Sequence, residues 1–152
     1  MIFKRRKIKN LVAVSGGFDP VHIGHIRMFK EAKKYGDVVA ILNNDNWLMA
    51  KKGFVFMPEQ ERKEILESIK YIDEVVLTKH EKGTKDMSVC KELEILLPDI
   101  YANGGDRTIT NIPEVDLCDQ LGIKMIWNIG GGKVASSSDM VKRFKEDKNG
   151  RK

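Results

Sequence analysis

Two histidines three residues apart follow closely on a pair of glycines in the string Ser15-Gly16-Gly17-Phe18-Asp19-Pro20-Val21-His22-Ile23-Gly24-His25. Adjacent glycines let backbone approach a ligand and expose N–H groups to phosphate oxygens. A helix starting at about His22 or Ile23 aims its partial positive charge at the same spot. His22 and His25 then share one helical face, and Gly24 between them leaves room for a ligand over the helix start. Imidazole N–H groups there can donate to phosphates, and protonated rings add charge against the build-up on a departing phosphate chain. Zinc is the competing chemistry for two histidines, but the sequence holds only one other, His80, and no suitable third ligand is near.

Two later strings share this character. In Asn103-Gly104-Gly105-Asp106-Arg107, Gly104 and Gly105 allow backbone to lie against a base or ribose. Asp106 suits ribose or metal-water contacts, or a simple Asx-turn. In Gly130-Gly131-Gly132-Lys133-Val134-Ala135-Ser136-Ser137-Ser138, a triple glycine leads to serines at a helix start, a second anion site. Capping accounts for one of Ser136, Ser137 and Ser138 but hardly for three.

Positioning these strings requires strands that end where they begin. Short apolar runs at 11–14, 38–42, 74–77, 100–102 and 124–128 read as buried strands. Helical spacing lies between them. One helix runs from His22 or Ile23 to near Gly36, and a second is opened by Pro58. A third spans 87–97 and is ended by Pro98, a fourth spans 114–121 and is ended by Gly122, and a fifth spans 136–144. This alternation predicts an α/β fold, a Rossmann-like, doubly wound, five-stranded parallel sheet in one domain. Ligands then sit at the carboxyl ends of the strands, where strand order reverses.

A chain of 152 residues, 41% hydrophobic and 32% charged, fits one soluble globular domain and argues against disorder. No apolar run approaches the roughly 20 residues that span a bilayer. The basic stretch at residues 4–9 is followed by no signal-peptide core, so a mature, cytoplasmic chain is expected. Cys90 and Cys118 stand apart without a CxxC partner and read as small core residues. The net charge of +5 gathers at the two ends, which suits an anionic substrate, nucleic acid or a merely solvated tail.

The eleven-residue string resembles the signature of the HxGH nucleotidyltransferases, the cytidylyltransferase-like family, and the resemblance covers roughly residues 10–145. It implies transfer of a nucleotide from ATP or CTP to a phosphorylated small molecule, a sugar or polyol phosphate, with release of pyrophosphate. Mg²⁺ would arrive with the nucleotide rather than in a protein cage. Ser15, Gly16, Gly17, Phe18, Asp19, Gly24, Gly104, Gly105, Asp106, Ser136, Ser137 and Ser138 would bind the nucleotide, and His22 and His25 would stabilise the transition state. By the same resemblance Asp45 falls in a nucleotide-proximal acidic turn, and Lys51 and Lys52 in a mobile lysine-rich loop that closes on the triphosphate. Arg62, in Pro58-Glu59-Gln60-Glu61-Arg62, would hold the acceptor's phosphate bidentately.

One departure stands out. Relatives of the cytidylyl-transferring branch carry an arginine before the serine-rich turn, and here only Lys133 is at hand, so CTP and ATP both remain open. Relatives commonly dimerise, so a homodimer is compatible, while a membrane partner is not expected. The alternative is a catalytically silent nucleotide- or RNA-binding module. The His-Ile-Gly-His string also occurs in class I aminoacyl-tRNA synthetases, but this chain is far too short for one and lacks the interleaved aromatics of a single-strand binder.

Overall fold

The structure, a computed structural model, describes residues 10–105, 112–131 and 137–150, the last four of them by backbone alone. Five strands, β1 (Asn10–Gly16), β2 (Gly36–Leu42), β3 (Glu74–Leu77), β4 (Ile100–Ala102) and β5 (Lys124–Ile126), form one sheet in the order β3-β2-β1-β4-β5. Every pairing is parallel. Six helices accompany them among the described residues: α1 (Ile23–Lys33), α2 (Asp45–Lys52), α3 (Glu59–Glu67), α4 (Cys90–Leu96), α5 (Glu114–Leu121) and α6 (Ser137–Gly150). The Rossmann-like expectation is met.

Side-chain alternation along the strands explains the two layers of helices. Val12, Val14, Val38, Ala40, Leu42, Ile100 and Ala102 face one way and meet Met28, Phe29 and Ala32 of α1 and Leu66 of α3. Ala13, Val39, Ile41 and Tyr101 face the other way and meet Leu93 of α4 and Cys118 of α5. Burying each such Leu or Phe contributes roughly 1.5–3 kcal/mol. The chain walks outward from β1 to β3, then returns past β1 to β4. Right-handed crossovers running in opposite directions put their helices on opposite faces. Strand order therefore reverses between β1 and β4, whose carboxyl ends carry the Gly16-Gly17 and Gly104-Gly105 turns.

The boundaries differ from expectation in instructive places. Gly36 does not end α1; it begins β2, where a Cβ would stand 2.1 Å from the carbonyl oxygen of Asn10. β5 stops at Ile126 because Asn128 turns into the left-handed region at φ 58°. α4 starts at Cys90 rather than residue 87, since the Met87 carbonyl accepts the Trp47 indole N–H and Ser88 is held by Asp86.

The largest difference is α2, read from sequence as a turn and a loop. Asn44 caps it by accepting the Trp47 N–H, Asp45 sits in its first turn, and Lys51 and Lys52 sit in its last. Gly53 closes it at φ 80°. Lys51 and Lys52 are thus helix-end residues, not loop residues.

Candidate active site

The turn from β1 into α1 is shaped by close approaches. A Cβ on Gly16 would lie 3.0 Å from the Phe18 ring, and one on Gly17 would lie 3.0 Å from Leu48 Cδ2 of α2. Phe18, expected against the nucleotide, is instead a core residue, 2% exposed. Its ring takes the edge of Phe29 at 5.3 Å and that of His25 at 4.9 Å between centroids. The expected phosphate turn is therefore built on a buried aromatic seat for His25.

His22 is the N-cap of α1, and the two histidines cap the helix reciprocally. The Gly24 N–H donates to His22 Nδ1 at 3.1 Å, and the His22 N–H donates to His25 Nδ1 at 3.2 Å. The rings stack with centroids 3.8 Å apart and planes 20° from parallel. A backbone N–H can only donate, so each Nδ1 is an acceptor. The proton that a neutral ring carries must then stand on Nε2.

Burial pushes the His25 imidazole down from 6.5 to about 3, helped by the charges of His22 and Lys52. His25 is therefore a neutral Nε2–H donor at ordinary pH, the first of the two contributions expected of the histidines, without the added charge of a protonated ring. It can stabilise developing phosphate charge by hydrogen bonding from a fixed position.

Of the two lysines, Lys52 is the one whose charge bears on His25, where it disfavours protonation of the ring. Burial lowers the lysine's own pKa, Lys51 and Arg62 lower it further, and Asp19 opposes them. Lys51 lies over the Trp47 ring instead, 5.3 Å from its centroid.

Arg62 departs furthest from its expected role. It is fully buried, and four of its five N–H groups are engaged within the protein. Nε donates to the Met57 carbonyl at 2.8 Å, and Nη1 to the carbonyls of Gly17 at 2.8 Å and Asn43 at 2.6 Å. Nη2 pairs with Asp45 Oδ1 at 2.6 Å. No bidentate edge is left for an acceptor phosphate, and Asp45 Oδ1 is likewise tied to Arg62. Asp19 is also used internally: its carboxylate accepts the N–H groups of Phe56 at 2.7 Å and Met57 at 2.6 Å.

Across the strand-order reversal, Ser15 Oγ and Tyr101 Oη are 2.7 Å apart. Gly104 and Gly105 follow Asn103, whose side chain is buried, its Oδ1 without a hydrogen-bond partner among the described residues. The β5 turn is seated on α1, where the Gly130 N–H donates to Glu31 and a Cβ on Gly130 would lie 3.0 Å from Met28 N. Ser137 Oγ donates to the Pro20 carbonyl at 2.6 Å, bringing the start of α6 to the phosphate turn. Ser138 is exposed one residue later. Asp106, Lys133 and Ser136 lie outside the described residues, as do the basic residues at 4–9 and 151–152.

Among the described residues no group of three or more His, Cys, Asp or Glu is arranged to hold a metal ion. His80 is a latch: its Nε2 donates to the Ser88 carbonyl at 2.9 Å, and Nδ1, the acceptor in a neutral ring with that tautomer, lies 2.8 Å from Thr78 Oγ1. No helix among the described residues is long and apolar enough to cross a membrane.

A family model described as cytidylyltransferase-like matches residues 13–147. The chain belongs to the cytidylyltransferase-like family. Among relatives, a FAD synthase of Thermococcus kodakarensis is 39% identical over 106 residues, which is 68% of this chain and 66% of that protein. The bifunctional protein HldE of Syntrophotalea carbinolica is 32% identical over 146 residues, 93% of this chain and 28% of that protein. The chain thus spans just under two thirds of the first relative and little over a quarter of the second. A crystal structure of the lipopolysaccharide core biosynthesis protein from Thermoplasma volcanium GSS1 matches with a TM-score of 0.62 at 25% identity, covering 79% of this chain and 95% of that one.

The cytidylyltransferase-like frame leaves several residues that sequence reading missed. Glu59 Oε1 accepts the Asp45 N–H at 2.9 Å, bracing the start of α2 from the start of α3. Asn43 is 1% exposed, with its carbonyl under Arg62. Neither carried a signal in the sequence beyond its place after β2 or Pro58. The role of α2 did carry one, in the run Asn44-Asp45 and Lys51-Lys52-Gly53 with its caps at both ends.

Proposed function

We propose that this chain transfers a nucleotidyl group from a nucleoside triphosphate to a phosphorylated small molecule. An acceptor phosphate oxygen attacks the α-phosphorus in line, the bond to the β-phosphate breaks, and pyrophosphate leaves. The observation that carries this reading is the stacked His22–His25 pair, whose Nδ1 atoms are both occupied by backbone N–H groups and whose donors are therefore on Nε2. Such preorganised donors are worth roughly 3–4 kcal/mol each in a transition state.

Lys52 supplies the nearby positive charge on the triphosphate, and the start of α6 at Ser137 supplies a second anion site beside Pro20. No side chain forms a covalent bond to phosphorus; positioning and charge stabilisation suffice. The acidic side chains nearest the turn are committed elsewhere, Asp19 to backbone amides and Asp45 to Arg62. That donor set fits a Mg²⁺ held mainly by the nucleotide's own phosphates, where it would neutralise phosphate charge.

ATP is the preferred donor in this proposal, because FAD is FMN joined to AMP and a FAD synthase is among the relatives. The acceptor is proposed to be a sugar or polyol phosphate, FMN with its ribityl phosphate included. The test is pyrophosphate release from ATP and from CTP with a panel of such phosphates. Release that needs both a nucleotide and one acceptor supports the proposal. Silence across the panel, with tight RNA binding that weakens steeply with salt, supports a binding module.

A further inference from the structure

Lys52 ends α2, and residues 53–57 lead from it into α3. In a family read from sequence as having a mobile lysine-rich loop, this stretch is held at both ends of its exit. The Asp19 carboxylate, 1% exposed, takes the N–H groups of Phe56 and Met57, and the Arg62 guanidinium takes the Met57 carbonyl. Arg62 also reaches Gly17 next to the phosphate turn, Asn43 after β2, and Asp45 at the start of α2. Lys145 of α6 stands over the Phe54 ring, 5.0 Å from its centroid.

These contacts close a ring. It runs from the phosphate turn through Arg62 to the start of α2, along α2 to Lys52, through residues 53–57, and back through Asp19 to the turn. We propose that Asp19 and Arg62 are positioning residues that lock residues 53–57, so that the end of α2 that carries Lys52 is set against the phosphate turn before any nucleotide binds. The proposal rests on the nucleotidyl-transfer reading for its purpose, though not for its geometry. Two buried ionic groups of opposite sign hold the same dipeptide, Phe56-Met57, from either side. Opening the segment would strip the buried Asp19 carboxylate and Arg62 guanidinium of these partners, so the open form is costly. A lysine fixed in advance needs no reorganisation as phosphate charge develops. The Asp19 carboxylate also offsets the effect of burial on the Lys52 ammonium.

Hydrogen exchange of the wild-type protein, read at the Phe56 and Met57 amides with and without ATP, tests the lock without any variant. Both amides are expected to be protected in the free protein, with ATP adding little. Rapid exchange that becomes slow only with ATP would mean closure on binding and overturn the proposal. In Asp19→Asn, where an amide N–H must face a backbone N–H, the two amides are expected to exchange faster, and the Lys52 ammonium to titrate lower still. With a working acceptor, kcat of Asp19→Asn and Arg62→Lys is expected to fall about 100-fold, with the KM for ATP changed only a few-fold. Wild-type kcat in both variants, each shown to fold by its melting curve, would also overturn it. Absence of pyrophosphate release from the wild type is a separate failure, that of the transfer reading, and leaves the exchange result standing on its own.

Discussion

His22 and His25 cap each other's helix turn: the His22 N–H donates to His25 Nδ1 at 3.2 Å, while His22 Nδ1 accepts from Gly24 at 3.1 Å. One set of contacts does two things. It satisfies helix-start N–H groups that would otherwise lack partners, and it fixes which nitrogen of each neutral ring can donate outward. Capping, usually a matter of stability, here also sets the chemistry.

The first prediction concerns pH. Because the His25 pKa falls from 6.5 in the unfolded chain to about 3, the unfolded state binds more protons between those values. Stability therefore rises with pH through that window; the contribution is full above about 6.5 and is lost as pH falls toward about 3. NMR of the His25 ring is expected to show the Nε2–H tautomer at neutral pH and no inflection near 6.5. A ring that titrates near 6.5 in the folded protein would refute the neutral-donor account.

A second prediction separates two adjacent lysines. Lys52→Met is expected to lower kcat/KM by about 100-fold or more, the scale on which a preorganised charge acts. Lys51→Met, whose side chain lies on Trp47, is expected to stay within a few-fold of wild type. Steady-state kinetics of the two variants decides, and equal losses would show that the helix-end geometry does not sort them.

The five parallel strands and the strand-to-helix turn after β1 were legible in the sequence, since period and turn residues are local signals. The buried commitments were not. Arg62 after Pro58 has the look of a surface arginine ready for phosphate. Only the fold reveals that Gly17, Asn43, Asp45 and Met57 surround it. Asp19 and Phe18 share that history: they sit in the right string, but one is tied to residues 56 and 57 and the other lies in the core. Distances in sequence of 5 to 45 residues separate these partners, and no periodicity encodes such pairings.

A third prediction tests the fold itself. Gly36→Ala is expected to destabilise the protein by roughly 3 kcal/mol, a large single-site effect, because the added Cβ meets the Asn10 carbonyl at 2.1 Å. At this chain length that corresponds to a fall of about 6–12 °C in Tm. Thermal unfolding checks it; an unchanged Tm would mean that β1 and β2 part more readily at Asn10 than their register implies.

The central claim is that the His22–His25 pair stabilises nucleotidyl transfer, and pyrophosphate release by wild type and by His25→Ala tests it most directly. With ATP and a working polyol phosphate, the wild type is expected to turn over. The variant is expected to keep its fold, lose about 1 kcal/mol of stability with the cap, and lose kcat by 100-fold to 1,000-fold or roughly that range. Turnover by His25→Ala at the wild-type rate would contradict the account.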